Sequence, residues 1–254
     1  MDVKVLAIET ATSRQSVAIV EESRVLASAA HDEPGSHTRW LIPTIDRLLE
    51  TARCTLAELH GFVVSAGPGS FTGLRVGIST ALGLRAVTGR PIILVGTLEA
   101  MAWGARGLAG PLCPILPCRK GEVFWAQYEW AVDGQIKTLV EPHVGPPEAI
   151  KRMVATPTWV LGDGWKLLQE AMAPMLTDRA RRWREVPVGL RHPSATHVAM
   201  AGFERLRRGD VAGHVVIPNY VQRAEAELQR GQVEGKAAKI LRGAGKAPRR
   251  ASRR

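Results

Sequence analysis

The sequence predicts an α/β fold made of two halves on one plan, each a mixed sheet with flanking helices. Three observations lead there. Each half opens on short β-rich runs separated by tight polar turns, and each then passes into alternating strand and helix patterns. Between them lies a Gly- and Pro-rich passage, Gly104 to Pro114, where the composition changes. On this reading residues 1–105 form an N-terminal domain, 106–225 a smaller C-terminal domain, and 226–254 a basic, disordered tail.

In the first half, Val3 to Glu9 is apolar and β-rich, and the turn Thr10-Ala11-Thr12-Ser13 leads to Ser16–Val20. Arg24 to Ala30 follows Glu21-Glu22-Ser23, which completes a three-stranded antiparallel meander. Thr38 to Arg53 places Leu41, Ile42, Ile45, Leu48, Leu49 and Ala52 on one face of a helix, with Pro43 in its first turns. Thr55 and Glu58 form a capping box ahead of the strand Gly61–Ser65. A glycine-rich turn and a helix to Thr88 come next, then the strand Pro91–Val95 and a helix from Thr97.

The second half repeats the opening. Leu112–Leu116 and Glu122–Trp130 form a hairpin across Arg119-Lys120-Gly121, and Gln135–Val140 adds a strand after the Asp133-Gly134 turn. Pro146-Pro147-Glu148 starts a short helix and Thr158–Leu161 is a strand. Gly162 to Trp165 turns into another helix, and Ser194 caps a last one from Ala195 to about Arg208, with Val198, Ala201, Phe203 and Leu206 among its apolar positions.

The most distinctive stretch is Gly67-Pro68-Gly69-Ser70-Phe71-Thr72-Gly73-Leu74-Arg75-Val76-Gly77. Pro68 fixes φ, the glycines permit close backbone approach, and the Ser70 and Thr72 hydroxyls can cap a helix. Such a helix start suits an anion, because free amides and the helix dipole favour negative charge. It is not a Walker loop, since Leu74 stands where the lysine belongs. Two readings stay open, an anion site and a plain capped helix start.

Gly73, Gly77 and Ala81 recur every four residues along this helix and leave one stripe almost bare. Glycine inside a helix costs about 1 kcal/mol relative to alanine, so its repetition needs a packing reason. The stripe fits a close helix of the same chain or of a partner protein.

Composition narrows the classes. The 254 residues and 45% hydrophobic content are enough for real cores, and no apolar run approaches the length of a membrane span. With no signal peptide at the N-terminus, the expected location is the cytoplasm. Cys54, Cys113 and Cys118 make no Cys-x-x-Cys and read as reduced thiols. The net charge of +10 is concentrated at one end: Lys236 to Arg254 holds eight Lys or Arg and no acid. That tail can attract RNA phosphates or serve as a solubilising extension. The seven tryptophans are scattered singly, as core or rim residues or as base-stacking platforms, and Arg179, Arg181, Arg182 and Arg184 form a solvated face or an RNA-facing patch. Cys118, beside Arg119 and Lys120, lacks a His or Asp neighbour in sequence to make it a nucleophile. The histidines include no pair four residues apart, so no metal site is read.

The repeated plan resembles the two-domain actin-like ATPase (ribonuclease H-like) fold. More closely, Ile8-Glu9-Thr10-Ala11-Thr12, the string from Gly67 to Gly77, and Gly121 to Tyr128 resemble the bacterial TsaB family. His37-Thr38 with Leu41-Ile42-Pro43 and the late Pro218 to Arg223 also fit, so the resemblance spans about residues 3 to 225. It implies a non-catalytic subunit of the machinery that makes threonylcarbamoyladenosine on tRNAs reading codons that begin with A. The implied partners are a TsaD-like catalytic subunit and a TsaE-like ATPase, with tRNA reached through the complex and a homodimer when the chain is alone. The implied interface is the first helix, through Leu41, Ile45 and Leu48, and the helix after the glycine-rich turn, through Gly73, Arg75, Val76, Gly77, Thr80, Ala81 and Leu84.

The resemblance also bears on nucleotide. Glu9, Thr10, Thr12, Gly69 and Ser70 are the candidate anion- or nucleotide-facing residues, set against a buried-turn role. Pro117 stands where TsaB relatives commonly have Asp, and proline has neither charge nor N–H to serve a phosphate. No cofactor of its own is expected, and ATP or ADP at the complex interface stays open. The rival readings are an ATPase or phosphotransferase of the same fold and, behind it, a glycoprotease-like peptidase.

Overall fold

A computed structural model of the chain describes residues 2–32, 37–119, 121–150, 157–172 and 183–213. Its first sheet is built by β1 (Lys4–Glu9), β2 (Gln15–Glu21), β3 (Arg24–His31), β4 (Gly61–Ser65) and β5 (Ile92–Val95), in the order β3-β2-β1-β4-β5. β1, β2 and β3 pair antiparallel as the meander, while β4 and β5 run parallel to β1. The second sheet has the same layout. β6 (Leu112–Pro117), β7 (Val123–Trp130) and β8 (Ile136–Gly145) form its meander, and β9 (Thr158–Leu161) and β10 (Trp183–Glu185) add in parallel, giving β10-β9-β6-β7-β8. Two mixed five-stranded sheets of one topology are the actin-like plan.

Side-chain alternation decides what covers each face. Leu6 and Ile8 of β1, with Val17 and Ile19 of β2 and Phe62 and Val64 of β4, look towards α1 (His37–Thr51) and α2 (Phe71–Thr88). Val5, Ala7, Ala18, Val20, Val63, Ile93 and Val95 look the other way, onto α5 (Ala195–Arg207). The sequence division gave this last helix to the second domain, yet its Ala195, Val198, Ala199, Ala201 and Phe203 complete the core of the first sheet. Close packing there depends on Gly202, where a Cβ would overlap the Val63 side chain.

α3 (Thr97–Gly104) lies between the two sheets, touching α5 on one side and β6 and β7 on the other. Leu98, Met101 and Ala102 join Leu112, Leu116, Phe124 and Tyr128 in a third core. The far face of the second sheet packs Ile115, Val123 and Trp125 under Trp165 and Leu168 of α4 (Gly164–Met172). All described residues fall within one compact unit, Met1–Val221.

Two strands differ from the sequence reading. β8 runs on to Gly145, well past Val140, and β10 has no counterpart in the sequence reading. β10 is three residues, Trp183-Arg184-Glu185, held by its backbone pairing with β9 and too short to show alternation. Residues 214–254, which include the tail and Pro218–Arg223, lie outside the described residues, as do Lys120, Arg179, Arg181 and Arg182.

Candidate partner interface

α2 begins as the sequence suggests: the Ser70 hydroxyl caps it by accepting from the Gly73 N–H at 3.2 Å, and Gly89 ends it in the left-handed conformation. The turn before it uses several of its polar groups within the chain. The Ser70 N–H donates to the Ala11 carbonyl at 2.6 Å and the Leu74 N–H to the Ser70 carbonyl. The Thr10 hydroxyl donates to the Gly73 carbonyl at 2.8 Å, and that of Thr12 to Arg14 O at 2.9 Å. A Cβ at Gly69 would overlap the Ala11 carbonyl, so the β1–β2 turn lies directly on the glycine-rich loop. Glu9 is 0% exposed. Of the five candidate anion-facing residues Glu9 and Thr10 are buried, Thr12 and Gly69 half-buried and Ser70 exposed, and the hydroxyls of Thr10, Thr12 and Ser70 are engaged within the chain, which favours the capped helix start.

The bare stripe is likewise explained from within. A Cβ at Gly73 would overlap the Thr10 carbonyl, and one at Gly77 the Thr10 hydroxyl. Ala81 is fully buried in the core beneath α1 and α2. The small residues let α2 lie close on the turn after β1, inside the same chain. Leu41, Ile45 and Leu48 also belong to that core. These six residues are buried by other atoms of the same chain.

What remains of the predicted set lies nearer the surface. Arg75 is exposed, its guanidinium 3.7 Å from the centroid of the Phe71 ring, and Val76, Thr80 and Leu84 are half-buried. The outward face of α2 is a second stripe that the sequence reading passed over: Thr72, Val76, Ser79, Gly83 and Ala86, ending beside Val87, which is 82% exposed. It too is poor in bulk, and a Cβ at Gly83 would meet nothing within 4 Å. On neighbouring α1, Ile42 is 55% exposed although periodicity had put it with the core residues. The same spacing of three and four residues that disclosed the inner stripe describes the outer one from Thr72 onward, so the signal was present in the sequence.

Elsewhere the described residues form structural pairings. A cleft of about 600 Å³ is lined by α3, α5 and the β7–β8 turn, including Glu99, Arg106, Arg205, Arg208 and Asp210. Arg205 donates to the Leu94 carbonyl and to Glu99 at 2.6 Å, and Arg208 to the Gln135 side chain at 3.2 Å. Burial holds the Glu99 carboxyl above the usual range, against the opposing pull of Arg205. Four of the tryptophans pack in two pairs: Trp103 meets Trp130 edge-on at 4.8 Å and Trp165 stacks on Trp183 at 6.1 Å. Cys54 and Cys113 are buried and Cys118 is half-buried, and none of the three is in a disulfide among the described residues. Pro117 is exposed at the end of β6. Among the described residues no three of His, Cys, Asp and Glu gather as metal ligands, and no helix is long and apolar enough to cross a membrane.

Comparison with known proteins fixes the relationship. A family model described as TsaD, tRNA N6-adenosine threonylcarbamoyltransferase, matches residues 33–230. The chain is 35% identical over 170 residues to the tRNA threonylcarbamoyladenosine biosynthesis protein TsaB of Escherichia coli, covering 64% of this chain and 72% of that one. The chain belongs to the TsaB family. The TsaB protein of Bacillus subtilis is 27% identical over 89% of this chain and 96% of its own. Among solved structures, YeaZ from Pseudomonas aeruginosa superposes with a TM-score of 0.70 at 26% identity, over 86% of this chain and 99% of its own. Membership of the TsaB family agrees with the resemblance carried by the string from Gly67 to Gly77, whose residues are those that lock α2 onto β1.

Proposed function

We infer that this chain acts in tRNA threonylcarbamoyladenosine biosynthesis as a non-catalytic subunit, docking a TsaD-like catalytic subunit on the outward face of α1 and α2 and working with a TsaE-like ATPase. The observation that carries the docking is the outer stripe of α2, where Ser79, Gly83 and Ala86 leave room for another helix at close range beside the exposed Ile42 and Val87. A helix pair with apolar edges and a shallow bare centre suits a second helix pair, so self-association of the isolated chain uses the same face. The non-catalytic role is supported by the use of the Thr10 hydroxyl on Gly73 of α2 and of the Thr12 hydroxyl on Arg14, and by proline at position 117. In this reading the chain needs no cofactor of its own, and any ATP or ADP sits at the junction with the partner.

The test is Gly83→Trp. A Cβ there meets nothing of the chain within 4 Å, so the circular dichroism of the variant stays close to that of the unaltered protein. Titration calorimetry against the TsaD-like subunit of the same cell is expected to show at least a hundredfold weaker binding. Undiminished affinity of a folded Gly83→Trp chain would move the docking face elsewhere.

A further inference from the structure

One row of side chains interrupts the otherwise apolar layer between the first sheet and α5. Glu9 stands opposite Ser16 in the β1–β2 register, and Ser65 follows Val64, which is paired with Ile8, so it comes level with Glu9 on the other side. All three project to the α5 face, in sequence after Val5 and Ala7, Ala18 and Val20, and Val63. The start of α5 roofs the row: the Ala195 N–H donates to the Ser16 hydroxyl at 2.8 Å. Glu9 Oε1 accepts from the Ala11 N–H at 2.6 Å. Its Oε2 is buried and has no hydrogen-bond partner among the described residues, and the same holds for the hydroxyls of Ser65 and of Thr97, the first residue of α3.

A carboxylate cannot stay ionised in such a place without a compensating charge. The described elements around it offer none. β2 brings Ser16 and β4 brings Ser65. On α3, Glu99 is paired with Arg205, and on α5, burial against Gly104 holds the His197 imidazole below its usual range. Among the described residues no charged side chain acts on Glu9, and burial pushes its carboxyl up to about 7, against the Ala11 N–H and the Ser65 hydroxyl nearby.

We propose that Glu9 is a buried proton site that seats α5 on the first sheet. With the proton bound, the carboxyl is neutral and fits the apolar layer under the first turn of α5. Without it, the charge is relieved only when that turn lifts and admits water. Because α5 also packs on α3, which touches the second sheet, the proton bears on how firmly the two sheets are joined. This inference stands apart from the docking face on α1 and α2.

The test uses the full chain and two readouts. Hydrogen exchange at the first-turn amides of α5, corrected for intrinsic rates, is expected to give an opening constant that rises about tenfold per pH unit between pH 5 and 7 and levels off above pH 8. Glu9→Gln, neutral at every pH, is expected to hold the low-pH value throughout. Carbon-13 NMR of the Glu9 carboxyl in the unaltered chain is expected to titrate near neutrality. An opening profile that is flat in the unaltered chain, or that is shared by Glu9→Gln, would overturn the proposal. So would a carboxyl midpoint in the ordinary range of 4 to 5, and that measurement decides the matter if Glu9→Gln fails to fold.

Discussion

Glu9 and Gly77 show how far a single residue can be read before its neighbours are known. Linkage fixes the sign for Glu9: its carboxyl is raised from 4.5 to about 7 in the folded chain, so the folded state holds the proton more tightly than the unfolded one. The resulting stability is complete below about pH 4.5 and is lost as pH rises through 7, amounting to about 3 kcal/mol at 1.36 kcal/mol for each pH unit. Denaturant midpoints at pH 5.5 and 8 should therefore separate in the unaltered chain and converge in Glu9→Gln. Gly77 gives the opposite lesson. From the sequence it fits a partner's helix as well as a helix of the same chain, but its missing Cβ faces Thr10, Ile8 and Val64. Gly77→Leu is expected to cost about 3 kcal/mol or more through overpacking and to break the Thr10 contact to Gly73. Its loss of partner binding would follow from unfolding, as a melting curve of the isolated variant would show.

At the scale of the element, α2 explains what was legible and what was not. The sequence announces the strand, turn and helix plainly: an aromatic and β-branched run from Phe62 to Val64, Ser70 as cap, and helical spacing to Thr88. The two small-residue stripes are equally visible as spacings. Which one faces inward is set by a long-range contact, the arrival of the β1–β2 turn over the start of the helix, and no local pattern encodes that. Glu9 was similarly ambiguous, because a carboxylate at a strand end suits a cleft as well as a core row, and only the position of α5 decides. The outer stripe yields a prediction in which two quantities part company. Gly83→Ala removes the helix-interior penalty of about 1 kcal/mol and has free space for its methyl group, so thermal stability should rise. If a partner helix needs the bare surface, binding should weaken severalfold in the same variant, and calorimetry of both properties checks the pair of outcomes.

At the scale of the whole molecule, the duplicated plan was legible and the sharing of cores was not. A boundary after residue 105 separates the two sheets, but it also cuts the first sheet off from α5, whose apolar residues are nearly a hundred positions away in sequence. A fragment of residues 1–105 would keep both helices on one face and leave Val5, Val20, Val63, Ile93 and Val95 uncovered on the other. Burying a valine or isoleucine fully contributes about 1.5–3 kcal/mol, and a small domain has only about 5–15 kcal/mol of net stability to lose. The fragment is therefore expected to be molten or aggregated, with strong binding of an apolar dye and no sharp thermal transition. A synthetic peptide spanning 191–213, carrying α5 and the Arg205 that donates to Leu94 and Glu99, should restore a cooperative transition when added. The same peptide with Gly202→Val should not, because its side chain would collide with Val63 at the centre of the layer. A fragment that melts cooperatively without the peptide would show that the first sheet can close its own second face.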